Sequence, residues 1–160
     1  PSTAITAETA QTLQRLWTFV RNPGQSRFAK RTVTAARRLF YAETRNRPAD
    51  TLVDLMIAGE ALYLDTDKDE LKFRLSLNAA LWADDVNKRA VFADVRKAYD
   101  LRSKIVHGAA VDPEKIKEAV AKMRPLLRTG ILKACEQLQT SAQSPEWEAM
   151  ILGQQTQHIP

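Results

Sequence analysis

One cysteine, two histidines and the lack of any long apolar run each remove a class of protein. Cys135, standing alone, excludes internal disulfides, zinc clusters and CxxC redox motifs, and with them a secreted, stapled scaffold. A membrane helix needs roughly 18 consecutive apolar residues. The best candidate, Leu52 to Leu64, is broken by Asp54 and Glu60, so no membrane association is expected. No charged-then-apolar leader is present either, and the cytoplasm is the expected location. The chain opens on Pro1 rather than Met, which suggests a piece of a longer polypeptide. Because His107 and His158 are the only histidines and His158 lies in a polar tail, a histidine-based mechanism falls to His107.

A length of 160 residues with 44% hydrophobic and 27% charged content matches one ordinary domain, expected over 1–152 with 153–160 as a polar tail. Five glycines and seven prolines punctuate long segments of 3.6-residue period, which predicts an all-α bundle of six or seven helices. The first helix is expected from Thr6 as N-cap to Arg21, the second from Ser26 to before Pro48, and the third from Asp50 as N-cap. A fourth takes in Glu70 to Ala83. The fifth, long and central, runs from Asp84 or Asp85 to His107, with Gly108 in the left-handed C′ position. The sixth starts at Asp112-Pro113 and must kink or split at Pro125. A last short helix opens at Ser144-Pro145. Trp17, Trp82 and Trp147 are expected to anchor the packing.

The net charge of +5 is unevenly spread. Between Arg21 and Arg47 eight basic residues meet only Glu43, whereas between Asp50 and Glu70 seven acids meet only Lys68. At about 100° per residue, Arg27, Arg31, Arg38 and Arg45 fall on one side of the second helix, opposite Ala29, Val33, Ala36 and Phe40. Such a stripe suits a phosphate backbone, and RNA is the expected partner. It also suits pairing with the acidic segment or with a protein.

The fifth helix carries the sharpest feature. With Arg102 as zero on a helical wheel, Val91, Phe92, Val95, Ala98, Tyr99, Ile105 and Val106 fall within about 80°. Burying a lone charge costs several kcal/mol, so Arg102 must meet a carboxylate, reach a cleft or face another subunit. Glu60, in line with Val53, Met56, Ile57 and Leu64, is the leading partner, though it could equally pair with Arg74. His107 lies about 140° round from Arg102 and shares a strip with Ser103 and Asp100. It could also simply interact with the helix dipole. A histidine moves protons near neutrality and an arginine binds phosphate oxygens bidentately, a pair suited to phosphodiester transesterification by a ribose 2′-hydroxyl with no metal or cofactor.

The block Tyr99-Asp100-Leu101-Arg102-Ser103-Lys104-Ile105-Val106-His107-Gly108 resembles the signature of HEPN domains, in which an arginine precedes a histidine on one helix. The Apea-like group is the nearer match. Leu52 to Leu62, with its embedded Glu60, and Phe73 to Ala80 resemble that group's preceding helices, so the resemblance covers Asp50 to Gly108. It implies an HEPN-like bundle whose homodimer forms a composite site that cuts RNA without metal, leaving a 2′,3′-cyclic phosphate and a 5′-hydroxyl. Arg102 would hold the phosphate and His107 would move a proton, with Tyr99, Asp100, Ser103 and Glu60 in support. Ser103 departs from the Asn, Asp or His that follows the arginine in many active relatives. Some HEPN domains are instead non-catalytic RNA-binding or dimerisation modules. The family implies phage defence or a toxin system, with a flanking sensor domain or an antitoxin as possible partners.

Overall fold

The computed structural model describes residues 14, 17–19, 21–22, 24–65, 69–84, 87–141 and 143–153. It is all-α, with no strand among the described residues. The helices after residue 26 are α1 (Arg27–Thr44), α2 (Pro48–Tyr63), α3 (Leu71–Trp82), α4 (Lys88–Val106), α5 (Pro113–Thr140) and α6 (Trp147–Ile151). Before them, 14, 17–19 and 21 are helical, in agreement with the expected first helix, whose Thr6 cap lies outside the described residues. His158 and 154–160 of the tail lie outside them as well.

Local chemistry sets most helix ends. The Ser26 hydroxyl accepts from the Ala29 N–H at 3.1 Å and caps α1. The third expected helix starts earlier than Asp50, because Pro48 takes the first helical turn, where its missing N–H is harmless, and Arg47 becomes the cap. Asn87, rather than Asp84 or Asp85, caps α4, its side chain accepting from the Ala90 N–H at 3.1 Å. Asp112 and Pro113 open α5 as expected. Pro125 does not split that helix. The one lost backbone bond costs about 3 kcal/mol, and burial of Val120, Met123, Leu127 and Ile131 on both sides holds the segment together.

The most enclosed helix is α2, packed against α1, α3, α4 and α5, with Leu52, Leu55, Met56, Ala58 and Leu62 fully buried. The motif-bearing α4 lies against α2, α3 and α5, which brings Arg102 beside the C-terminal half of α2. At one end of the core, Phe28, Tyr63, Trp82 and Trp147 form an aromatic cluster with ring centroids 5.4 to 6.5 Å apart. Trp82 and Trp147 are thus the expected anchors. Trp17 is not: it is exposed, with the Arg21 guanidinium over its ring at 5.5 Å. Gly130 on α5 lets Tyr63 pass, since a Cβ there would overlap the phenol hydroxyl.

Candidate functional site

Arg102 stands three-quarters buried, its side chain 26% exposed, and Glu60 on α2 is similarly placed at 27%. The Arg102 Nη2 lies 3.9 Å from the Glu60 Oε1, close enough for attraction but too far for a hydrogen bond. The Nε of Arg102 is buried with no hydrogen-bond partner among the described residues. Burial pushes the Glu60 carboxyl above its ordinary 4.5, and the Arg102 charge only partly opposes this. The expected Glu60–Arg102 pair therefore forms, but loosely, and the guanidinium keeps hydrogen-bonding capacity in hand.

His107 ends the same helix about 7.5 Å further along its axis. The Gly108 N–H donates to the Ile105 carbonyl at 3.0 Å and the Ala109 N–H to the Lys104 carbonyl at 2.9 Å, with Gly108 left-handed at φ 74°. This is the Schellman closure the sequence anticipates. It fixes the His107 backbone, while the imidazole is exposed and bonds to none of the described residues.

The supporting residues divide. Tyr99 is half-buried against the core, and Ser103 is half-buried beside Arg102 in sequence. Asp100 points away to Lys72 on α3, at 3.0 Å. A strip of apolar side chains borders Arg102: Phe92, Tyr99 and Val106 recur every seven residues along α4, and Phe73 of α3 meets Phe92 edge-on at 5.8 Å. Val106 and Phe73 are exposed. No group of three or more metal-ligating side chains occurs among the described residues.

The basic stripe has a different fate. The Arg38 Nη1 and Arg45 Nε donate to the two oxygens of Asp54 at 3.0 and 2.8 Å, and that carboxylate is only 4% exposed. Arg31 donates to Asp65 and to the Ala61 carbonyl, both at 3.0 Å, and Arg27 approaches Asp65 at 4.0 Å. Burial lowers the Arg31 pKa, opposed by the Asp65 charge. Arg27, Arg31, Asp65 and Arg74 share the wall of a cavity of about 800 Å³. All four stripe arginines thus face carboxylates of the acidic segment. Asp54 as their partner was not anticipated, although it is an acid set among apolar residues of α2, the same signal that singled out Glu60.

Phe40 also departs from its expected packed position. The buried side of α1 is Phe28, Ala29, Thr32, Ala35 and Ala42, which leaves Phe40 and Tyr41 at the surface. No described helix is long and apolar enough to cross a membrane. No family model, curated protein or solved structure matches the chain.

Proposed function

We propose that this domain is an HEPN-type, metal-independent endoribonuclease acting as a homodimer, with Arg102 and His107 as its catalytic residues. In the reaction the ribose 2′-oxygen forms a new bond to phosphorus as its proton leaves, the P–O5′ bond breaks, and O5′ departs as a hydroxyl after receiving a proton. Arg102 stabilises the charge that builds on the non-bridging oxygens, and His107 carries a proton at the 2′- or 5′-oxygen.

The observation that carries this reading is the loosely held guanidinium. A guanidinium whose Nη2 stands 3.9 Å from its carboxylate, beyond hydrogen-bond reach, on a side chain that is still 26% exposed, keeps Nη donors for a phosphate. The exposed His107 on the same helix supplies the titratable partner. A second copy of the chain has a place to sit, since the apolar strip of Phe73, Phe92, Tyr99 and Val106 borders Arg102. A phage-defence or toxin role follows from the family resemblance.

A second reading is a non-catalytic HEPN module, in which Arg102 is structural. The Glu60–Arg102 approach is the observation that favours it. Labelled RNA incubated with the protein in EDTA separates the two. Cleavage that Arg102→Ala and His107→Ala both lose, with circular dichroism unchanged, supports the enzyme. RNA binding without cleavage supports the module.

A further inference from the structure

The four arginines expected to contact RNA are held by carboxylates, yet α1 presents a second cationic surface with different residues. About 100° per residue places Lys30, Arg37 and Tyr41 within about 40° of one another on the outward side of α1, and Phe40 borders them. Phe40 is 64% and Tyr41 40% exposed, their ring centroids 6.2 Å apart. The Arg38 guanidinium lies over the Tyr41 ring at 6.0 Å and steadies it from the side. Lys30, Arg37 and Arg47 are exposed, with no ion pair among the described residues.

Two further clusters flank this ridge. Arg38 and Arg45 share Asp54 on one side, and Arg124 and Arg128 of α5 share Glu43 on the other, at 3.3 and 2.7 Å. Each cluster holds two arginines on one carboxylate; Asp50 also acts on Arg45, so the Glu43 cluster is the one with a positive charge over. Exposed aromatic rings set among uncompensated cations are the chemistry that binds an unpaired strand: bases stack on the rings and phosphates follow the charges. A duplex, whose bases are already stacked, offers nothing to Phe40 or Tyr41.

We propose that the outward ridge of α1, through Lys30, Arg37, Phe40 and Tyr41, docks single-stranded RNA. This deepens the ribonuclease reading by naming the form of its substrate and rests on that reading. Its test is separable, because an oligodeoxynucleotide lacks the 2′-hydroxyl nucleophile and reports binding without cleavage.

Fluorescein-labelled single strands of about 20 nucleotides, as RNA and as DNA, and an RNA duplex are titrated with the full chain by anisotropy at several salt concentrations. Single strands of both kinds are expected to bind more tightly than the duplex. Phe40→Ala with Tyr41→Ala should weaken single-strand binding roughly tenfold or more. Lys30→Gln with Arg37→Gln should reduce the salt slope by about 0.7 for each cation removed. Arg89→Gln, at an exposed cation on α4, should bind like the parent. Unchanged single-strand binding by the Phe40→Ala, Tyr41→Ala chain overturns the proposal. So does loss of self-association in its place, which would make the ridge a contact between copies. If that variant still cuts RNA normally and binds unchanged, the docking surface fails while the catalytic reading stands.

Discussion

Arg38 of α1 and Arg45 at its C-cap, about two turns apart, reach the two oxygens of one buried carboxylate at 3.0 and 2.8 Å, whereas Arg102 on α4 stands 3.9 Å from a carboxylate that is 27% exposed. Both regions place arginine beside acid on α2. They differ in how fully the guanidinium is used. Asp54 accepts two charge-assisted hydrogen bonds, one from each arginine, and so ties α1 to α2. Glu60 makes no hydrogen bond to Arg102, whose Nε has no partner among the described residues. Distance, more than the presence of a counter-charge, separates the arginines hydrogen-bonded into the fold from the one that is not.

Three substitutions probe the difference between these arginines. The largest effect is expected at Arg102: removing a fixed cation from a developing phosphate charge costs roughly 10²–10³ in cleavage rate. Arg102→Ala should show that loss while its melting temperature stays near that of the parent, because the Glu60 contact is weak. Next comes Asp54→Ala, expected to lower stability by about 2 kcal/mol, since two charge-assisted hydrogen bonds are lost but both arginines are free to turn to solvent. Urea denaturation measures it, and cleavage per folded molecule should hold. If the two variants exchanged phenotypes, the assignment of structural and functional arginines would be reversed.

The smallest effect is a pH dependence at Glu60. Its folded pKa is raised by burial, so the folded state holds the proton more tightly than the unfolded chain. Its favourable contribution is full at acid pH and is lost as pH rises from the ordinary 4.5 through the raised folded value. Glu60→Gln should therefore flatten the fall in stability as pH rises above the ordinary carboxyl value of 4.5, read as the difference between the two chains' urea midpoints. An identical pH profile would mean that Glu60 is hydrated as freely in the fold as in the unfolded chain.

Much of the fold was legible because its signals are local. Ser26, Asp112-Pro113 and Gly108 act on the backbone within a few residues, and the helices they bound appear where the sequence places them. Asn87 outcompeted Asp84 and Asp85 as a cap, and Pro48 pre-empted Asp50, both choices among neighbouring residues of similar propensity. At the candidate site, Arg102 and Glu60 were legible as charges on apolar faces. Pairing of the basic stripe with the acidic segment was legible as an alternative to RNA, and the ion pairs bear it out; the choice of Asp54 and Asp65 was not, because a wheel records directions on one helix and these carboxylates arrive from elsewhere in the chain. Phe40 was misplaced for the same reason: the neighbours of α1 cover the side of Phe28, Thr32 and Ala35 instead.

The central claim is that Arg102 and His107 cleave RNA through the 2′-hydroxyl. The most direct measurement is the chemistry of the ends produced from a defined RNA by the purified chain in excess EDTA, alongside His107→Ala. A 2′,3′-cyclic phosphate and a 5′-hydroxyl are expected from the parent, and neither from the folded variant. Ends of the opposite kind, a 3′-hydroxyl with a 5′-phosphate, or equal cleavage by both chains would contradict it.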